Sequence, residues 1–263
     1  MSSAGPADPR DRAESARAVR AFLRSRRTRF RPTAYQVYAT LVVGGIAGAL
    51  AGNAVSEAIG GSLNAHKVLV FGPVLLFLVL LALLRFGTWQ GPVGFSTADV
   101  SFLLTAPIAI SALVRPKLDQ GVWVGAVVGA AVAGVALLVM TGEAGVPRAL
   151  GTVAGMAAFA VLGVAASWLV ESSRTAWGLV RRASPAALVI GGALLAAGAI
   201  PASRSVAVWS GPWGWAIAPL AGSSGWPVAV GLLLTTTAAV AVIARRRSGA
   251  AGAEVFLARA ETR

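Results

Sequence analysis

Residues 68 to 84 read VLVFGPVLLFLVLLALL, seventeen apolar residues between Lys67 and Arg85. No side chain in the run carries a charge or a hydrogen-bonding group. A helix at the surface of a soluble protein keeps a polar face, and this run has none. A helix that crosses hydrocarbon needs roughly 20 mostly apolar residues and satisfies its own backbone hydrogen bonds there. The run therefore reads as a membrane span, and five others of similar character surround it: Ala34 to Ala54, Gly121 to Met140, Ala149 to Val170, Ala186 to Ala202 and Trp226 to Ala244. The fold class expected is all-α, a polytopic membrane protein of six transmembrane helices. Residues 1–33 form a basic amphipathic segment, residues 34–244 the transmembrane domain and residues 245–263 a tail.

Charge sets the expected orientation, because cytoplasmic flanks retain Lys and Arg. With the N-terminus inside, the arginines from Arg10 to Arg31, then Arg85, Arg115, Lys117, Arg174, Arg181 and Arg182, and Arg245, Arg246, Arg247, Arg259 and Arg263 all fall on the cytoplasmic side. Only Lys67, Arg148 and Arg204 fall outside. Tryptophans favour the headgroup layer. On this scheme Trp89, Trp123, Trp168 and Trp177 sit near the inner edge and Trp209, Trp213, Trp215 and Trp226 on the outer side. Both termini are then cytoplasmic. The heavy use of Ala, Gly, Val and Arg is associated with a high-GC bacterial coding sequence, so the expected location is a bacterial plasma membrane, and the first span is expected to be the targeting signal, with no cleaved leader.

A formal charge of +13 would suggest nucleic acid in a soluble protein. Here the basic residues flank spans, so the expected partners are anionic membrane lipids and not nucleic acid. Absence of cysteine removes disulfides, thiolate metal sites and cysteine nucleophiles.

Three segments outside the spans carry information. Arg17, Arg20, Arg24, Arg27 and Arg31 recur every three or four residues beside Val19, Phe22 and Leu23. This is the pattern of an N-terminal interfacial helix, the alternative being a basic tail that only enforces topology. The connection from Arg85 to Gln120 is too apolar for an ordinary loop. Ser96 and Asp99 match a capping box, Phe102, Leu103 and Leu104 follow, and Pro107 is expected to break the segment. A second short run, Ile108 to Val114, is closed by Arg115, Pro116 and Lys117. The expectation is a cytoplasmic coupling segment of two short surface helices. The third segment, Ser203 to Gly225, is rich in Trp, Gly and Pro. A seventh span there would carry Arg245 to Arg247 outside, so an outer re-entrant hairpin is expected instead.

Within the spans the pattern is small residues. Gly44, Gly48 and Gly52 lie four apart in the first, as do Gly121, Gly125, Gly129 and Ala133 in the third. Such spacing lets helix backbones approach closely, although a chain with 31 glycines also produces it by chance. Thr235, Thr236 and Thr237 are expected to bond carbonyls one turn back. No Asp, Glu, Lys, Arg or His lies within any span, whereas ion-coupled transporters use ionisable groups there. Metal-dependent chemistry needs clustered ligands, and the one histidine, His66, stands beside Lys67. There is no phosphate-binding glycine loop ending in Lys and Ser or Thr. No catalytic residue, metal site or cofactor is expected, and the chain reads as a non-enzyme.

The order of these parts resembles the permease subunit of a type 2 bacterial ATP-binding-cassette (ABC) exporter, over roughly residues 12 to 247. The residues most similar to the family pattern are Phe102, Leu103, Leu104, Thr105, Ala106, Pro107, Ile108 through Leu113 and Lys117. The resemblance implies that this segment, with Asp99 starting its first helix, docks into a separate ABC ATPase. Relatives carry Ser or Thr and one or two Arg after the proline and its aliphatic neighbour. This chain has Ala109, Ile110 and Ser111, so the basic contact is either missing or displaced to Arg115 and Lys117. The resemblance also implies a homodimer or a second permease subunit, and export of a substrate the sequence does not name. A non-transport membrane scaffold or accessory protein is the alternative.

Overall fold

The computed structural model describes residues 65–89, 110–139 and 145–248. The chain divides into two compact units, and the first, Met1–Gly60 with Ala106–Ile108, lies outside the described residues. Every element below belongs to the second. In order they are α1 (Ala65–Trp89), α2 (Ile110–Val139), α3 (Val146–Glu171), α4 (Arg174–Ala199), a 3₁₀ turn (Pro201–Ser203), α5 (Arg204–Trp209), α6 (Pro212–Ile217) and α7 (Trp226–Arg247). The described residues contain no strand.

Four of these helices are long and apolar enough to cross a bilayer, over Lys67–Arg85, Val114–Leu138, Val146–Glu171 and Trp226–Arg247. Their outer faces are aliphatic: Val127 is 63% exposed and Leu138 81%. Side chains of this kind would not face water over several turns, and the surface fits a multi-pass, membrane-embedded protein. The expected span Ala34 to Ala54 lies outside the described residues. The expected span Ala186 to Ala202 is not among these four. Its apolar helical part, Pro185–Ala199, is about 22 Å long at 1.5 Å per residue, short of the roughly 30 Å hydrocarbon core. The chain turns out of the helix at Ile200, ahead of Pro201. It is the amphipathic first half, with Arg181 and Arg182, that brings α4 to its full length.

The second helix also differs from the sequence expectation. Pro116 was expected to close a separate short helix, yet it lies inside an unbroken helix from Ile110 to Val139. Proline removes the amide that would meet the Ala112 carbonyl and crowds that carbonyl with its ring. Packing bridges that gap: Val114 and Leu118, one turn apart across Pro116, are both buried.

The centre of the described bundle is α3, with 56% of its span buried against 17% for α2. The core joins Val68 and Leu76 of α1, Ala133 of α2, Met156, Phe159 and Leu162 of α3, Ala216 and Ile217 of α6, and Leu233 of α7. Chain direction is plain from the contacts. A Cβ on Gly125 would lie 3.2 Å from Val164 Cγ2, and one on Gly129 would strike the Met156 carbonyl oxygen and sit 2.8 Å from Ala157 Cα. Residue numbers rise on α2 as they fall on α3, so the two are antiparallel. Helices α3 and α7 run parallel: Gly151 abuts the Trp226 ring, Thr237 Oγ1 donates to the Ala158 carbonyl at 3.2 Å and Trp168 Nε1 to the Ala244 carbonyl at 3.3 Å. Helix α4 is antiparallel to α1, with Gly198 backed so closely onto Val70 that a Cβ there would lie 2.8 Å from Val70 Cα, and Ala187 and Leu194 clustered with Phe77.

The connection between α4 and α7 begins and ends at the same end of the bundle, beside Val70 and Gly151 respectively. Helices α5 and α6 have six residues each, about 9 Å, so neither crosses. Glycine makes the sharp reversals. Gly211 separates the two helices at φ 152° and Gly222 follows α6 at φ 70°, conformations that side chains disfavour. The segment is packed in among the long helices: Ile217 fills the space over Gly72 of α1, Ala216 lies against Gly155 of α3, and Trp213 meets Phe77 edge to face at 4.8 Å.

Candidate functional site

Three contacts define one end of the bundle. Ser167 Oγ donates to the Leu83 carbonyl at 2.9 Å, tying α3 to the last turns of α1. The Trp168 indole reaches the Ala244 carbonyl of α7, one of the carbonyls near a helix terminus, which also accepts from Ser248 N at 2.9 Å. Arg245 pairs with Asp119 of α2 at 3.3 Å. Helix α4 starts at this end, where Ser173 caps it by accepting from Ala176 N at 3.3 Å.

These contacts gather Arg85, Arg115, Lys117, Arg245, Arg246 and Arg247, with Arg181 and Arg182 two turns along α4. At the opposite end stand Lys67, Arg148 and Arg204, the last beside the Trp-rich connection. The three arginines closing α7 lie where the helix dipole favours positive charge. Glu171, the last residue of α3, is buried at this end.

Arg115, Val242, Arg245 and Arg246 line a shallow groove here. The Asp119–Arg245 pair bridges α2 and α7, and its side chains are 47% and 64% exposed. An ion pair so open to solvent contributes little to stability, about 0–1 kcal/mol. Its effect is to neutralise one guanidinium, while Arg115 and Arg246 have no hydrogen-bond or ion-pair partner among the described residues. The arrangement is one that attracts anions. No group of three or more metal-binding side chains occurs among the described residues.

Of the residues expected to dock a partner, Arg115 and Lys117 lie on α2 at this end, and Asp99, Phe102, Leu103, Leu104 and Pro107 lie outside the described residues. So do Gly44, Gly48 and Gly52, whereas Gly125 and Gly129 stand at the α2–α3 contact. Trp168, expected near the inner edge, stands at the arginine-rich end but is wholly buried against its neighbours, its N–H satisfied by a carbonyl of α7. Thr235 bonds back to the Gly231 and Leu232 carbonyls as expected, but Thr237 crosses to α3. Sequence reading also passed over Gly151, Gly155 and Gly163, which meet Trp226, Ala216 and Leu83. Their spacing of four and eight along α3 was the available signal. No family model matches the chain, and neither a curated protein nor a solved structure matches it.

Proposed function

We propose that the chain is the membrane-spanning permease subunit of an ABC-type exporter, moving an unidentified substrate with ATP hydrolysed by a separate subunit. The observation that carries this reading is the Trp-rich connection Pro201–Gly225, which leaves and rejoins the bundle at one end and packs among α1, α3 and α7. In a membrane it would be an outer re-entrant hairpin, the feature that accompanies six spans in such permeases. The arginine-rich end is then cytoplasmic, in a bacterial plasma membrane, with the N-terminal stripe Arg17 to Arg31 lying along the inner surface and both termini inside.

Further support comes from α2, whose first turns carry Arg115 and Lys117 at the arginine-rich end and continue the apolar segment that holds Phe102 and Leu104. In this reading the segment from Ser96 to Lys117 docks the ATPase, and a second copy or a related permease completes the transporter. The chain itself contributes no catalysis.

The test is the double substitution Phe102→Ala and Leu104→Ala, with co-purification of an ATPase encoded beside the chain. Truncating an anchor residue costs an interface about 2 kcal/mol or more, roughly a thirtyfold loss of affinity. Binding and ATPase stimulation should fall together while membrane insertion is retained. A variant that binds and couples like the wild type would move the reading to a non-transport scaffold.

A further inference from the structure

At the arginine-rich end, the groove between α2 and α7 combines charge and depth in a way that the transport reading does not require. Both helices pack on α3 and make little contact with each other, so a cleft runs between them, bridged at its end by Asp119 and Arg245. Three guanidiniums and one aliphatic side chain, Val242, line it. Asp119 offsets one of those charges, and Arg115 and Arg246 remain. Guanidinium forks match phosphate oxygens geometrically, two N–H groups to two oxygens.

Depth is fixed independently. Trp123, one turn further along α2 than Asp119, is 72% exposed, and an exposed indole on a spanning helix marks the headgroup layer. Val242, half exposed, lies one turn inward from Arg245 and Arg246, where α7 becomes aliphatic. A ligand held here meets cationic groups at headgroup depth and hydrocarbon immediately below. A free phosphate satisfies only the first of these, whereas an anionic phospholipid satisfies both.

We propose that the groove formed by Arg115, Arg245, Arg246 and Val242 is a binding site for an anionic phospholipid, with the phosphodiester on the guanidiniums and an acyl chain descending past Val242. Each arginine near an anionic lipid surface contributes about a fivefold gain in affinity, so loss of the two unpaired ones weakens binding roughly thirtyfold. Asp119 limits the site, since its carboxylate competes for Arg245.

The full chain in neutral detergent, titrated with phosphatidylglycerol or phosphatidylcholine while its unfolding temperature is followed, tests this directly. Phosphatidylglycerol should raise the unfolding temperature saturably and phosphatidylcholine should not. Arg115→Gln with Arg246→Gln should raise the half-saturating concentration roughly thirtyfold. Arg182→Gln with Arg247→Gln removes the same charge from the same end and should leave it unchanged. Should the groove double variant fail to fold, each single variant should shift half-saturation about fivefold. Equal shifts in the groove and control variants would mean that total charge alone attracts lipid, and the site would be withdrawn. Stabilisation by inorganic phosphate equal to that by phosphatidylglycerol would assign the groove to a free anion and overturn the lipid proposal.

Discussion

Replacing Gly129 and Gly134 by alanine, one at a time, sets the same chemical change in two surroundings on one helix. At Gly129 the new methyl would overlap the Met156 carbonyl oxygen and lie 2.8 Å from Ala157 Cα, whereas at Gly134 nothing stands within 4 Å. Carbon atoms pack best at about 3.5–4.0 Å, and the obstruction is the backbone of the central helix, which cannot rotate aside. Helix α2 has to back away by about 1 Å, a gap that forfeits a quarter to a half of each contact along the seam. Overpacking of this kind costs about 1–3 kcal/mol. Alanine also gains about 0.8–1.0 kcal/mol over glycine in helix propensity. That gain applies at both positions and cancels in the comparison. Gly134→Ala should therefore be neutral or stabilising, and Gly129→Ala should fall below it by about 1–3 kcal/mol. Reversible unfolding of the full chain in mixed micelles with a rising fraction of ionic detergent gives both values. A difference below about 0.3 kcal/mol would refute the seam, because no rearrangement that spares the α3 backbone admits the extra carbon.

Trp168→Phe keeps most of the buried ring and deletes the N–H bonded to Ala244. It should cost about 0.5–1.5 kcal/mol in the same unfolding measurement, and Trp168→Ala, which also leaves a cavity, about 3–5 kcal/mol. Thr237→Val removes the bond to Ala158 with little change in shape, and should cost about 0.6 kcal/mol, the average for such bonds between membrane helices; no loss would mean that the hydroxyl is satisfied within its own turn. Asp119→Asn breaks an exposed pair and should leave stability within about 1 kcal/mol, measured as before. Single cysteines test orientation in intact cells. An impermeant thiol reagent should label Ser224→Cys from outside and spare Arg247→Cys, and labelling of the latter would reverse the assignment of ends.

Elements whose determinants are local were readable from the chain. The run Val68 to Leu84 is apolar on every face and Trp226 to Ala244 on nearly all, with the hydroxyls of Thr235 and Thr237 bonded to carbonyls, so their helical state followed from composition alone. The α2 stripe through Gly125 and Gly129 was visible as spacing, although its partner was not, since spacing says nothing about which helix lies opposite. Pro116 misled because proline's effect on a helix depends on what packs across it, here Val114 and Leu118. For Trp168 the chain showed the end of the bundle but not the burial: tryptophan needs one polar partner, and the Ala244 carbonyl of α7 supplies it inside the packing. The groove of Arg115, Arg245 and Arg246 joins residues 130 positions apart, a juxtaposition that only the packing of α2 and α7 on α3 creates.

The way Ile217 seats on Gly72 and Ala216 on Gly155 also bears on where a cargo can go. With Ala133, Ala216 and Leu233 wholly enclosed, the middle of the described bundle is solid matter. The described bundle is thus a wall and not a tube. Under the exporter reading the cargo slides along the outside of that wall, between it and a second one, and the side chains that discriminate among cargoes stand on an outward aliphatic face. Selectivity would then be altered by surface substitutions that leave the folding of each copy untouched.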